Sequence, residues 1–455
     1  MSAPTALSRI SSTATTESSH TPAINRSQSV HDQSKEDGKE ESDSLSATNN
    51  KQQETPTSDE SNNNSTNTTH NHHNSVIRSS SNSHSQPTTS SYPNSSSPTS
   101  PIRSSSPPAA VTPIPISSPP PRPAPVVADP EPFPHPTIRR SHLRRVNIRI
   151  TDTVVEQKTV IHSGSGRVYE IGATLKKAIF GHVIHSILIA PSETNPEEFR
   201  RTNQQMAIKV YSKRLLRQLQ GRTQENPLME ITALQYIGND HPNLMGQIEC
   251  CTDEENIYSV MRYCQGGELF DFIDENGPLT NSQAKRMFKQ LLAGLQRLQE
   301  LGIGHRDMSL ENILYDQNEI YVIIDFGMCL RLKPHPSLPG QWCSINRQQI
   351  CGKKNYIAPE VLREDPIFNP MVADIWAAGI ILFIVLTGVP PIDKATHADI
   401  RYSMICEGRL QEMVNNWNID MEPQVVDLIQ RLLRSDPMER LTIPEILEHA
   451  WLQDA

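Results

Sequence analysis

An α+β fold in two lobes, preceded by a disordered arm, is what this sequence predicts, and three observations predict it. The composition breaks near Pro136: everything before it is rich in Ser, Thr, Asn, Pro and His, and nearly all the Leu, Ile, Val, Phe and Trp follow it. Short β-like segments then crowd residues 146–261 around a single helical pattern. From Gly267 onward long amphipathic helical patterns take over. The expected organisation is an arm over 1–137, a basic linker with extra strands over 138–168, and a folded domain over 169–454. Within that domain the small lobe is 169–262 and the large lobe 265–454.

The arm has too few apolar side chains to offset the entropy of ordering it, so it is expected to stay unfolded. Its PPPRPAP string, Pro119 to Pro125, favours an extended polyproline conformation. A ligand for a Pro-rich-reading partner and a stiff spacer are both consistent with it. Next comes a basic cluster of Arg139, Arg140, Arg144, Arg145 and Arg149. It reads as a nuclear-import signal, a membrane-surface patch or, more simply, a solvated cationic linker. VNIRI at Val146 to Ile150 alternates like a strand, and TVI at Thr159 to Ile161 faces RVYEI at Arg167 to Ile171 across the turn HSGSG. Further strand-like segments lie around Phe180 to Ala190, Met206 to Tyr211, Gln247 to Cys251 and Tyr258 to Met261. The helix among them, Pro227 to Ile237, repeats Leu228, Ile231, Leu234 and Ile237 at helical spacing. The large lobe is expected to be built on Asn281 to Glu300, Ala373 to Leu386 and Pro423 to Leu433.

A formal net charge of −9, spread over both parts, argues against a chain made mainly to grip nucleic acid. All seven cysteines fall in the folded part without a Cys-x-x-Cys pair, and the opening MSAPTALSRISSTATT lacks the pattern of a secretory leader. A reducing, intracellular setting is therefore expected, cytoplasmic, nuclear or both. Residue 2 is Ser, which excludes N-myristoylation. The longest apolar run, Trp376 to Val389, is short for a bilayer and reads as a buried core helix, so no membrane insertion is expected.

Four short strings stand in one order: MAIK ending at Lys209, HRDMSLEN from His305 to Asn312, DFG from Asp325 to Gly327, and APE from Ala358 to Glu360. This set resembles the eukaryotic protein kinase family over roughly Tyr169 to Leu452. Glu311 before Asn312, and Tyr356 ahead of APE, resemble its serine/threonine branch. The C-terminal lobe, with LLRSDPMERLTIPEILEHAWL, looks most like the calmodulin-dependent group. The resemblance implies ATP and Mg²⁺ as the small-molecule needs and proteins as the substrates. Phosphoryl transfer spreads negative charge over the moving group, so positioning and nearby positive charge do most of the catalysis. By that resemblance Lys209 contacts the α and β phosphates and Glu230 orients it. Asp325 and Asn312 hold Mg²⁺ through hard oxygen atoms, and Asp307 accepts the proton of the substrate hydroxyl. Lys176, Ala178, Gly181, Val183 and Ala207 line the nucleotide, together with the gate residue Met261, the hinge residues Tyr263 and Cys264, and Glu268. Arg440 resembles the partner of Glu360, and DIWAAG at Asp374 to Gly379 resembles the helix that anchors the catalytic loop.

The departures are as informative. In KKAIFGHV, Lys176 and Ala178 stand where the family has its first two glycines, and only Gly181 remains, which predicts a weaker grip on ATP. Relatives carry Lys two residues after the catalytic Asp and Thr after the glycine that precedes APE; here Ser309 and Lys353 hold these places, as if exchanged. Lys353 is expected to reach back and supply the charge beside Asp307 with Ser309 as its hydrogen-bond partner; a solvent-facing Lys353 in a slower enzyme is the other reading. Arg306 matches the residue that pairs with an activation-segment phosphate in relatives, but the usual phosphate position is Gln349. Ser344 or Ser337 would have to substitute, or the segment is ordered unmodified. Cys329, Cys343 and Cys351 read as idle thiols more readily than as a redox or metal site.

Glu268 and Glu311 resemble carboxylates that bind an arginine upstream of the target, so Arg-x-x-Ser substrates are favoured. The arm offers four such sites, Ser12, Ser29, Ser81 and Ser106, as candidates for autophosphorylation and for phosphoserine-reading partners. With the chain ending at Ala455, no calmodulin-binding or autoinhibitory tail is expected after the large lobe. A pseudokinase scaffold that binds nucleotide but transfers poorly is the competing reading, on the altered loop and Ser309.

Overall fold

In the small lobe seven strands close on themselves. They are β1 (Arg139–Arg149), β2 (Val155–Ser163), β3 (Val168–Ala178), β4 (Gly181–Pro191), β5 (Glu198–Ser212), β6 (Glu249–Thr252) and β7 (Asn256–Arg262). Their order around the barrel is β1-β2-β3-β4-β5-β7-β6, and β6 meets β1 in parallel through Arg139 with Cys251 and Arg140 with Thr252. The structure is a computed structural model and describes residues 124–195 and 197–453. The four Arg-x-x-Ser sites and all but the last two residues of PPPRPAP lie outside the described residues.

Alternation explains the barrel. Val146 and Ile148 of β1 point inward and pack with Val160, Val168, Ile189 and Phe199. On β5 the inward set is Met206, Ile208 and Val210, which leaves Ala207 and Lys209 for the opposite face, the one that looks into the cleft. The hairpin expected across HSGSG is present, with Val160 opposite Glu170 and His162 opposite Val168. The arginine cluster differs from its simplest reading: it lies in a strand, not a linker. From Ser141 to Arg149 it pairs in register with β2, while most of the arginine side chains stay in solvent. Closure removes the exposed edge that a terminal strand would otherwise present. Two helices accompany the barrel. The expected one is α2 (Pro227–Ile237), and a short α1 (Lys213–Leu219), capped by the Ser212 hydroxyl, precedes it.

The large lobe is helical: α3 (Leu269–Asn276), α4 (Asn281–Glu300), α5 (Pro359–Leu362), α6 (Pro370–Thr387), α7 (Ile400–Cys406), α8 (Leu410–Asn416), α9 (Pro423–Leu432), α10 (Ile443–Leu447) and α11 (Ala450–Gln453). A capping box of Thr280 and Gln283 starts α4, whose Ala284, Met287, Phe288, Leu291, Leu295 and Leu298 face the core. α6 is long and apolar enough to cross a membrane, and it is buried over most of its surface, packed against α4 and α9. Two-residue and three-residue strands frame the cleft floor: β8 (Gly267–Glu268), β9 (Ile303–Gly304), β10 (Ile313–Tyr315), β11 (Tyr321–Ile323) and β12 (Leu330–Arg331). Ahead of the barrel, residues 126–137 run in extended form past α2 and β12.

Candidate active site

Lys209 projects from β5 and Glu230 from α2. Lys209 Nζ donates to both carboxylate oxygens of Glu230, at 2.7 and 2.8 Å. Asn226 fixes the start of α2 by accepting from Met229 N, with Pro227 in the first turn, so Glu230 falls on the face turned to the barrel. Burial alone would lower the Lys209 pKa, but Asp325 and Glu230 outweigh it and hold the ammonium above its usual value.

The floor is assembled by a small hairpin. β10 and β11 pair antiparallel with Ile313 opposite Ile323, and Ile324 N donates to Asn312 O at 2.9 Å, so Asn312 and Asp325 end up side by side. Arg306 and Asp325 both adopt positive φ, 69° and 63°, which is costly for residues with a Cβ. Asp374, buried in α6, holds the first of these turns by accepting from His305 N at 2.7 Å and Arg306 N at 2.9 Å. His305 is buried, which lowers its pKa; Nε2 donates to Ile324 O and Nδ1 accepts from Asp307 N.

Asp307 sits at the centre. Its Oδ2 accepts from Asn312 Nδ2 at 2.9 Å, and its Oδ1 is buried with no hydrogen-bond partner. Burial pushes its pKa up to about 6, against the pull of Lys353 and with the help of Asp325. Asn312 directs its amide hydrogens at Asp307, onto the main-chain oxygen as well as Oδ2, which leaves its carbonyl oxygen as the group it can offer a cation. Asp325 offers a carboxylate: burial opposes its ionisation, but Lys209 and the Gly327 amide keep its pKa below the usual value. This pair of hard oxygen donors fits Mg²⁺ chemically.

The exchanged pair meets. Lys353 Nζ donates to Ser309 Oγ at 2.6 Å and lies 3.6 Å from Glu311 Oε2. Gly352 makes that approach feasible, since its φ is 92° and a Cβ there would stand 2.9 Å from Arg306 O. Ala207 pairs with Met261 and Val183 with Lys209, which sets Ala207 on the strand that carries Lys209 and Val183 on its neighbour, while Met261 and Cys264 are buried in the core beside them. Tyr263 stacks edge-on against His185 at 4.8 Å.

The hairpin that stands for the glycine loop is tight and anchored. Ala178 pairs with Gly181, and the tip residue Phe180 is 4% exposed, packed with Tyr211, Ile231 and Cys250. Phe180 O accepts from Ser212 N at 2.8 Å, and a Cβ on Gly181 would fall 1.9 Å from Val210 O. Lys176 forms an ion pair with Glu268, joining the small lobe to the large one. The loop is thus tied down at its tip and at its base, beyond the crowding expected from Ala178 alone.

Arg306 donates to Gln349 O at 2.8 Å and to Met328 O at 3.2 Å, two main-chain oxygens of the activation segment. Ser344 is buried and Ser337 exposed. Cys329 and Cys351 are buried thiols, the latter pushed up to about 11 by burial, and no group of three metal-binding side chains occurs among the described residues. Glu225 escaped the sequence reading. It precedes the α2 cap, packs near Gly327, and is raised to about 7 by burial and by Asp325. Nothing in its local sequence distinguishes it from a surface carboxylate. Buried Arg440 donates to both oxygens of buried Glu360, at 2.6 and 2.5 Å.

Residues 198–452 match the protein kinase domain family. The sequence is 33% identical to the serine/threonine-protein kinase ATG1a of Arabidopsis thaliana over 258 residues, 56% of this chain and 38% of that relative. It is 33% identical to CBL-interacting protein kinase 1 of Oryza sativa subsp. japonica over 63% of this chain and 56% of the relative. It is 31% identical to calcium-dependent protein kinase 12 of Arabidopsis thaliana over 56% and 49% respectively. The chain spans less than two thirds of the length of each of these relatives.

Proposed function

Because this chain belongs to the protein kinase family, we propose that it transfers the γ-phosphoryl group of ATP to serine and threonine hydroxyls of proteins. The observation that carries the reading is the carboxylate of Asp307. One oxygen is fixed by Asn312, and the other is buried without a partner beside a lysine, where a substrate hydroxyl would complete it. Lys209 grips the non-transferred phosphates with Glu230 holding its ammonium in place. Asp325 and Asn312 would hold Mg²⁺, which supplies charge neutralisation on the phosphates when bound. Lys353 supplies a cation next to Asp307 and the transferred group, in place of the lysine that Ser309 replaces.

Acceptor choice follows from two carboxylates. Glu268 and Glu311 favour an arginine upstream of the target, in competition with Lys176 and Lys353, which already face them. Radiolabelled transfer to a generic basic protein, set against Asp307→Asn, tests the reading: wild type labels the acceptor and the variant falls by on the order of 10²-fold or more. A scaffold that binds nucleotide but transfers poorly is the second reading, favoured by the anchored loop with Lys176 and Ala178. Equal, background labelling by both proteins would select it.

A further inference from the structure

The outer face of α2 is partly covered by the chain itself, with Leu228 left half exposed. At 100° per residue, positions 228, 229, 232, 235 and 236 share the side of α2 opposite Glu230. Against that side runs the extended segment 126–137. Thr137 N donates to Gln235 Oε1 at 2.8 Å, and Gln235 Nε2 donates back to Thr137 O at 2.9 Å. Phe133 meets the Tyr236 ring edge-on at 5.8 Å. Pro130 to Pro136 close one side of a groove of about 410 Å³ whose other wall is Asn226, Leu228, Met229 and Thr232.

The same segment also holds the start and the middle of the activation segment. Glu131 N donates to Arg331 O at 2.8 Å, the Glu131 carboxylate pairs with Arg331 Nη1 at 3.7 Å, and Arg331 Nη1 donates to Pro132 O at 3.2 Å. The Arg331 guanidinium lies over the Tyr236 ring at 4.5 Å, so β12, the segment and α2 meet at one point. Further along, Ser344 N donates to Val126 O and Ala128 N to Ser344 O. Meanwhile Arg306 is occupied by main-chain oxygens, and the position where relatives carry a phosphate is Gln349.

We propose that residues 126–137 are a built-in positioning strap. By bracing the outer face of α2 against β12 they keep Glu230 turned toward Lys209, the task that an activation-segment phosphate would otherwise share. Phe133, Tyr236, Gln235 and Arg331 are its positioning residues; none of them is placed among the reacting groups. Ser344 is closed to modification while the strap is seated, because its main chain is paired on both sides and its side chain is buried. The proposal rests on the kinase reading for its effect on rate, but its effect on α2 is independent of that reading.

The test uses the full chain with Glu131→Ala and Phe133→Ala together, with hydrogen exchange of α2 amides and steady-state kinetics as readouts. Exchange in α2 is expected to accelerate, and kcat to fall about tenfold while KM for an acceptor peptide moves less than about twofold. A synthetic peptide of residues 126–138 added to the variant should reverse both changes. Tyr236→Phe, which keeps the ring, should behave as wild type, and Tyr236→Ala as the strap variant. Unchanged α2 exchange, or unchanged kcat in the presence of faster exchange, overturns the proposal. So does a lower melting temperature with no rescue by the peptide, since that is plain destabilisation. If wild type transfers no phosphate at all, the kinase reading fails separately, and α2 exchange with and without the peptide still decides the strap.

Discussion

The floor and the roof of the cleft keep their parts in place by different means. On the floor Asp307, Asn312 and Asp325 hang from short loops whose turns are held by Asp374, by the β10–β11 pairing and by one another's side chains. The two exchanged side chains meet there, Lys353 and Ser309 coming within 2.6 Å with the same two chemistries presented from opposite sides. On the roof the departures are not mirrored by any exchange. Two glycine positions hold Lys176 and Ala178, and the hairpin instead gains an anchored tip at Phe180 and an ion pair to Glu268. Chemistry that depends on charge can be supplied from a new position, whereas backbone freedom at a phosphate can only be given up or kept.

The sharpest way to break this contrast is at Lys353. If the floor is compensated, Lys353→Ala lowers kcat/KM on the order of 10²-fold, and Ser309→Lys combined with Lys353→Thr restores most of it. The pH profile separates a cation beside Asp307 from a mere packing role. Transfer needs Asp307 ionised, so activity is lost as pH falls through about 6, the value to which burial raises this carboxyl. Lys353 pulls that value down, so its removal should move the acid limb to higher pH. A limb that stays put in Lys353→Ala, with normal turnover, would leave Ser309 uncompensated and the contrast without its floor.

Legibility divides along the same line. Lys209, Asp307, Asn312 and Asp325 were legible because each sits in a short string, MAIK, HRDMSLEN or DFG, that resembles the protein kinase family's. α4 spans Asn281–Glu300 as its periodicity predicts, since the cap and the apolar repeat are both local. The barrel could not be read. Its closure joins Arg139 to Cys251, and no local pattern announces a partner that distant in the chain. For the same reason the arginine cluster passed for a linker. The Lys176–Glu268 pair, Glu225 beside Gly327, and the strap against Tyr236 are likewise facts of proximity; their residues carry no signature of their own. β5 runs from Glu198, well before the segment its hydrophobic pattern marks, because its first half pairs with β1 and β4 at the far end of the barrel.

A smaller effect is expected at the roof's base. Lys176→Gly releases Glu268, so discrimination in kcat/KM between acceptor peptides with Arg or Ala three residues before the target should rise about two- to fivefold, the range an exposed ion pair supports. Because the Lys176 side chain is more than half exposed, the gain should shrink as salt is added. No gain at low ionic strength would mean that Glu268 does not read the acceptor.

The smallest effect is expected at Ala178. If its Cβ were all that separates this hairpin from a glycine loop, Ala178→Gly should lower KM for ATP several-fold. The tip, however, is fixed by Phe180 among Tyr211, Ile231 and Cys250, and Gly181 is pressed against Val210 O. Removing one methyl group leaves those contacts intact, so KM for ATP should fall by less than about twofold with kcat unchanged. A tenfold fall would locate the weak grip in that single side chain, and the anchored tip would then be packing without consequence for the nucleotide.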